Sequence, residues 1–132
     1  MPAKVLDAYA LLAFFLDEPG ADTVRGLLID ALAGNVKLAM SVVNLGEVWY
    51  AIARAVSPAA ADQYVQRIRG MAIDILDADW ETTRQAALFK TPGNISFADC
   101  FAAALAIRLD AEVVTGDKEF AVLEGQIGIA RL

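Results

Sequence analysis

Ala3-Lys4-Val5-Leu6-Asp7-Ala8-Tyr9-Ala10-Leu11-Leu12 passes from an apolar segment into a helix-forming one through a single carboxylate. Ala3 to Leu6 reads as a buried strand, and Ala8 to Asp17 as a helical run that Glu18-Pro19-Gly20 stops. The pattern returns far along the chain: Glu112 to Thr115 is strand-like, and Gly116-Asp117 opens a short helix to about Leu123. Between these two junctions the same alternation continues. Ala21 to Ala33 carries Val24, Leu27, Leu28 and Leu32 at helical spacing. Val36 to Met40 reads as a strand, and Ser41 or Asn44 can cap a helix to about Val56. Ser57-Pro58 restarts a helix that ends near Gly70, and Ala72 to Leu76 is a third strand. Asp79 caps a helix to about Lys90, and Thr91-Pro92-Gly93-Asn94 is a turn. Ser96 begins an alanine-rich helix ending near Asp110, and Gln126 to Ala130 is a final strand. Strands alternating with helices predict an α/β fold whose parallel sheet is covered on both faces. Such sheets bind ligands at the carboxyl ends of their strands. No linker or repeat interrupts the 132 residues, so a single domain spanning 1–132 is expected.

Composition narrows the function. Hydrophobic residues make up 58% of the chain, which excludes disorder. No apolar run reaches the roughly 18 to 20 residues of a membrane span. Met1-Pro2-Ala3-Lys4 leads straight into a strand without the layout of a signal peptide. The single Cys100 cannot form an internal disulfide, which fits a cytoplasmic protein. The absence of histidine removes His-based nucleophilic triads and His-ligated zinc. A net charge of −6 argues against gripping nucleic acid by charge alone. It leaves room for an enzyme whose metal ions meet a phosphate, for a basic partner segment, or simply for solubility.

Four carboxylates stand at chemically costly places. Asp7 directly follows a buried strand, where it must be paired, capping or metal-bound. Asp117 follows Val113-Val114-Thr115 by one glycine. Asp99 lies one turn into its helix. Ser96 to Asp99 also reads as a capping box, and the small Ala102, Ala103 and Ala106 let that helix approach the sheet. Glu47 has Val43 four residues before it and Ala51 four after, a semi-buried place for an acid. Capping explains each aspartate singly, and a pair with Arg54 or a cap with Asn44 could explain Glu47. Their joint position at one edge predicts a common pocket. Unscreened carboxylates there would repel by roughly 4 kcal/mol per pair at an effective dielectric near 20. A cation relieves this, and oxygen ligands without His or Cys favour Mg²⁺ or Mn²⁺.

Taken together, Val5-Leu6-Asp7-Ala8-Tyr9-Ala10-Leu11-Leu12, Asn44-Leu45-Gly46-Glu47-Val48, Ser96-Phe97-Ala98-Asp99-Cys100-Phe101 and Thr115-Gly116-Asp117-Lys118-Glu119-Phe120 resemble the PIN-domain family, specifically the VapC-type toxin ribonucleases of type II toxin–antitoxin systems. The resemblance implies a three-layer α/β/α sandwich with a parallel sheet of four or five strands. It implies an endoribonuclease using one or two Mg²⁺ or Mn²⁺ ions and leaving a 5′-phosphate. Asp7 and Asp99 would be direct ligands, with Glu47 and Asp117 completing the metal-binding and catalytic quartet. Thr115 and Ser96 would support the site. A small antitoxin would pair with the chain, and the helices Val43 to Val56 and Ala59 to Ile68 would form a homodimer face. One residue departs from the family pattern: Tyr9 stands where many relatives carry Ser or Thr.

Other readings compete. A receiver domain would place an acidic pair after the first strand, where Asp7 stands alone. A haloacid dehalogenase-type phosphatase would want Asp-x-Asp there, and Tyr9 breaks it. A PIN-like binding module, engaging a partner through its acidic pocket with catalysis weak or lost, is the stronger rival. Lys4, Arg54, Lys90 and Lys118 are candidates to position an RNA backbone. Trp49, Trp80, Tyr50, Tyr64 and Phe101 read as core or interface packing. Cys100 reads as buried and inert, with no cationic neighbour.

Overall fold

A computed structural model describes residues 2–132, so Met1 of the N-terminal stretch lies outside the described residues. Five strands, β1 (Ala3–Leu6), β2 (Lys37–Ser41), β3 (Ile73–Leu76), β4 (Glu112–Thr115) and β5 (Ile129–Arg131), form one sheet in the order β3-β2-β1-β4-β5. All four pairings are parallel. The helices are α1 (Ala8–Phe15), α2 (Ala21–Leu32), α3 (Val42–Ala55), α4 (Pro58–Arg69), α5 (Trp80–Lys90) and α6 (Phe97–Leu109), with a 3-10 helix over Lys118–Leu123.

Side chains alternate across each strand and feed two separate cores. Leu6, Leu38, Met40 and Val114 point to the layer of α1 to α4. Val5, Ala39 and Val113 point to the layer of α5 and α6. This is the α/β/α sandwich expected. Helix α6 is buried continuously from Asp99 to Ala106, as its alanines allow, and contacts β1, β2 and β4. The strand order reverses between β1 and β4, so the crevice at their carboxyl ends is where a ligand has room.

Some boundaries moved for local reasons. Helix α1 ends at Phe15, two residues before Asp17, because Asp17 turns left-handed at φ 53° and the Glu18 N–H closes onto the Ala13 carbonyl. Ser41, not Asn44, caps α3: its hydroxyl oxygen accepts from the Val43 N–H. Strand β5 starts late because the Gln126 and Ile127 N–H groups close the 3-10 helix onto the Leu123 carbonyl.

Candidate functional site

Asp7 leaves β1 and enters α1, and its two oxygens divide the work. Oδ1 accepts from the Ala10 N–H at 2.9 Å, capping the helix. Oδ2 is buried with no hydrogen-bond partner, in a residue only 1% exposed. Capping and membership of a pocket are therefore not alternatives here. Burial pushes the carboxyl up from its ordinary 3.8 to about 6; the Thr115 hydroxyl, nearby but outside hydrogen-bond geometry to Oδ2, and the Ala10 N–H pull against this, and the charges of Asp117 and Glu47 add to it.

Asp117 is held by the turn leaving β4, three residues beyond Val114, which pairs with Leu6. The buried Thr115 hydroxyl accepts from the Asp117 N–H at 2.9 Å, and Asp117 Oδ1 accepts from the Glu119 N–H at 2.9 Å. Arg131 Nη1 donates to the Asp117 carbonyl at 2.7 Å, tying the turn to β5. Gly116 does not have a left-handed φ. What requires glycine is space: a Cβ there would lie 2.3 Å from Tyr9 Cε1. The ring of Tyr9, reaching back from the first turn of α1, lies against this turn.

Asp99 sits in the first turn of α6. Its N–H donates to the Ser96 hydroxyl oxygen at 3.2 Å, which is half of a capping box. The reciprocal half comes from elsewhere: the Ser96 N–H donates to Glu119 Oε1 at 2.9 Å. Asp99 is thus relieved of capping duty, and its Oδ2 is buried without a partner. Asp99, Asp117 and Glu119 each bring a carboxylate oxygen within 4.8 Å of the others. Burial pushes the Asp99 carboxyl up to about 8, helped by the hydrogen bond and charge of Asp117 and then by the charges of Asp7 and Glu47. Glu119 is the acid that sequence reasoning missed. The available signal was Asp99 itself: aspartate is one methylene shorter than the Glu or Gln that completes a capping box, so the Ser96 N–H needed another acceptor.

Glu47 is half-buried on α3. Asn44 Nδ2 donates to Glu47 Oε1 at 2.8 Å and to the Ala98 carbonyl at 3.1 Å, fastening α3 to the start of α6. Burial raises the Glu47 carboxyl, Asn44 opposes this, and Asp117 adds to it. The pairing with Arg54 is not made; Arg54 lies over the Tyr50 ring at 5.1 Å. The structure therefore brings Asp7, Glu47, Asp99 and Asp117 close enough that the charge of Asp117 raises the proton affinity of the other three. The tightest trio, however, is Asp99, Asp117 and Glu119.

The cations are less cooperative than expected. Lys4 pairs with Glu112 at the amino end of the sheet, away from the pocket. Lys90 Nζ donates to the Ile95 carbonyl at 2.7 Å and closes the Thr91–Asn94 loop. Lys118 is exposed beside Asp117 and makes no ion pair among the described residues. Trp80 is not core: it is 71% exposed. Tyr50 is also exposed, whereas Phe101 is buried and Tyr64 packs edge-on to Phe15. Trp49 spends its indole N–H on Asp62. Cys100 is buried, as expected, and burial lifts its thiol to about 11; Lys90 is nonetheless near enough to pull it down, so a cationic neighbour does exist.

Two buried, unpartnered carboxylate oxygens facing further acids need a proton or a cation. An all-oxygen donor set of this kind fits a hard divalent ion. A parallel sheet with acids gathered at its switch point is the frame of a metal-binding α/β protein. The PIN domain model matches residues 4–126, and the chain belongs to that family. No curated protein matches the chain significantly. Among solved structures, VapBC2 from Rickettsia felis, bound to a DNA fragment from the promoter, is 19% identical with TM-score 0.77, covering 98% of each chain. VapBC-1 from nontypeable Haemophilus influenzae is 18% identical with TM-score 0.72, over 98% of this chain and 97% of that one. VapC20 from Mycobacterium tuberculosis, a toxin that cleaves the sarcin-ricin loop, is 17% identical with TM-score 0.70, over 92% and 95%. Among the described residues no helix is long and apolar enough to cross a membrane.

Proposed function

We propose that this chain, as a single PIN-like domain over residues 1–132, is a Mg²⁺- or Mn²⁺-dependent endoribonuclease and the toxin of a toxin–antitoxin pair. The observation that carries the reading is the pair of buried, unpartnered oxygens, Asp7 Oδ2 and Asp99 Oδ2, in a pocket shared with Glu47 and Asp117. Asp7 and Asp99 would hold one or two ions, with Glu47 and Asp117 completing the set. A divalent ion held there would supply neutralisation of phosphate charge and a lowered pKa for bound water. Glu47, half-buried with raised proton affinity, or Asp117 would take the proton of the attacking water. In-line attack at phosphorus would then form the new P–O bond as the bond to the 3′-oxygen breaks, leaving a 5′-phosphate and a 3′-hydroxyl that takes its proton from water. Thr115 fixes the Asp117 turn, and Ser96 fixes the start of α6. Lys118 is the cation left to hold the RNA backbone.

A small antitoxin with a basic residue would close this acidic pocket, consistent with the toxin–antitoxin complexes among the structural relatives. The exposed Leu16 and Val56, lining an apolar cleft between α1, α3 and α4, support a homodimer face. A cytoplasmic location follows from the substrate. The test is cleavage of labelled RNA by the purified chain with Mn²⁺, Mg²⁺ or EDTA. Asp7→Asn and Asp99→Asn should each lower the rate at least about 100-fold while the circular dichroism spectrum is kept. Equal cutting after both substitutions would sink the assignment. Ion binding without cleavage would favour the binding module.

A further inference from the structure

Tyr9 is the feature the nuclease reading has not absorbed. It is 42% exposed, so part of the side chain meets solvent. Its position is nonetheless fixed. Asp7, two residues earlier, is a buried acid of the site, and the Tyr9 ring edge from Cδ1 through Cζ lies against Gly116, directly before Asp117. A side chain in the first turn of a helix leans toward the helix N-terminus, here over the carboxyl end of β1 and its neighbour β4. One side of the ring thus rests on backbone between two pocket acids, and the rest faces solvent.

From this placement we propose that Tyr9 is a substrate-binding platform: the unpaired base next to the phosphate seated at the acids stacks on the exposed part of its ring. The inference rests on the ribonuclease reading and adds a rule of selection to it. Aromatic stacking tolerates any base identity but demands that a base be present and unpaired. The arrangement is pre-organised, because the ring fills the space that a Cβ on residue 116 would take and Asp7 anchors the helix turn beneath it. The exposed aromatic therefore gives a chain with net charge −6 a means of holding RNA that does not depend on positive charge.

The test uses the full chain, Mn²⁺ and a short single-stranded RNA with one mapped cleavage site, against the same RNA carrying an abasic position beside the scissile phosphate. Base stacking measured by truncation corresponds to about a 5- to 150-fold change in affinity. Tyr9→Ser should raise KM by about 10-fold with most of the effect in KM and not in kcat, and Tyr9→Phe should restore the wild-type KM. The abasic RNA should lose a similar factor with wild type and little more with Tyr9→Ser. Binding of the intact RNA in Ca²⁺, measured by anisotropy, should rank the three proteins in the same order. Cleavage by wild type with an unchanged KM in Tyr9→Ser, or an abasic penalty that is equal in both proteins, overturns the platform alone. Wild type that neither cleaves nor binds the RNA overturns the platform together with the ribonuclease reading, and Asp7→Asn, cutting as fast as wild type, would locate the failure in the acid site.

Discussion

Asp7→Asn should make the metal-free protein more stable, and more so as pH rises. The folded protein holds the Asp7 carboxyl at about 6 against an ordinary 3.8, chiefly by burying it. Each pKa unit is worth about 1.4 kcal/mol, so ionising Asp7 within the fold costs about 3 kcal/mol relative to the unfolded chain. Because the shift is upward, this stability is fully present below about pH 4 and is lost as pH rises through about 6. Asparagine keeps the Oδ1 cap to Ala10 but buries an unpaired amide, which costs about 1 kcal/mol. The net gain at pH 8 is then about 2 kcal/mol, or roughly 6 to 10 °C for a chain of this size. At pH 4.5 the variant should be equal to wild type or slightly weaker. Thermal melts followed by circular dichroism in EDTA, from pH 4.5 to 8, measure the gap directly. A gap that stays constant across this range, or a variant that melts lower at pH 8, would refute the account of Asp7 as an ion held against its preference.

Mn²⁺ should raise the melting temperature of wild type increasingly from pH 6 to 8, as Asp7 and then Asp99 give up protons; an ion at 100 times its dissociation constant adds about 2.7 kcal/mol, and Asp99→Asn should erase most of the shift in calorimetry. Glu119→Ala should cost about 1 kcal/mol in urea unfolding by uncapping the Ser96 N–H, and should also slow RNA cleavage by loosening Asp99. Gly116→Ala should destabilise by about 1 to 3 kcal/mol through collision with the Tyr9 ring, and a double-mutant cycle with Tyr9→Ser should recover most of that loss. Asn44→Ala should cost about 1 to 2 kcal/mol, since it removes both the Glu47 bond and the link to the Ala98 carbonyl.

Those parts of the structure governed by periodicity and strand-helix alternation were readable in advance. The Val5–Leu6 and Val113–Val114 pairs, buried on both faces, announce interior strands, and each delivers an aspartate to the same edge. The small side chains of Ala102, Ala103 and Ala106 announce a helix pressed against the sheet. What escaped depends on contacts between distant segments. Glu119 acts across 23 residues on Ser96, and nothing in its own neighbourhood says so. Arg54 had a plausible acid two helical turns back in Glu47 but lies over the Tyr50 ring one turn away. Lys90 and Lys4 looked equally free as Lys118 until the loop carbonyl of Ile95 and the carboxylate of Glu112 claimed them. Tyr9 read only as a deviation from pattern, because its meaning lies in the missing Cβ of Gly116.

The capping bond from the Ser96 N–H to Glu119 has a mechanical consequence. It joins the turn after β4 to the start of α6, while Asn44 joins α3 to the same helix end, and Asp7 grows directly from β1. The acids are thus mounted on pieces as far apart in sequence as residues 7 and 117. An ion gripping them would act as a clip across almost the whole chain, closing a loop far longer than any local turn. Its effect on amide exchange should accordingly reach β1, β4 and α6 together and not remain confined to the pocket rim. Loss of the ion would then register as a loosening of the whole sheet edge.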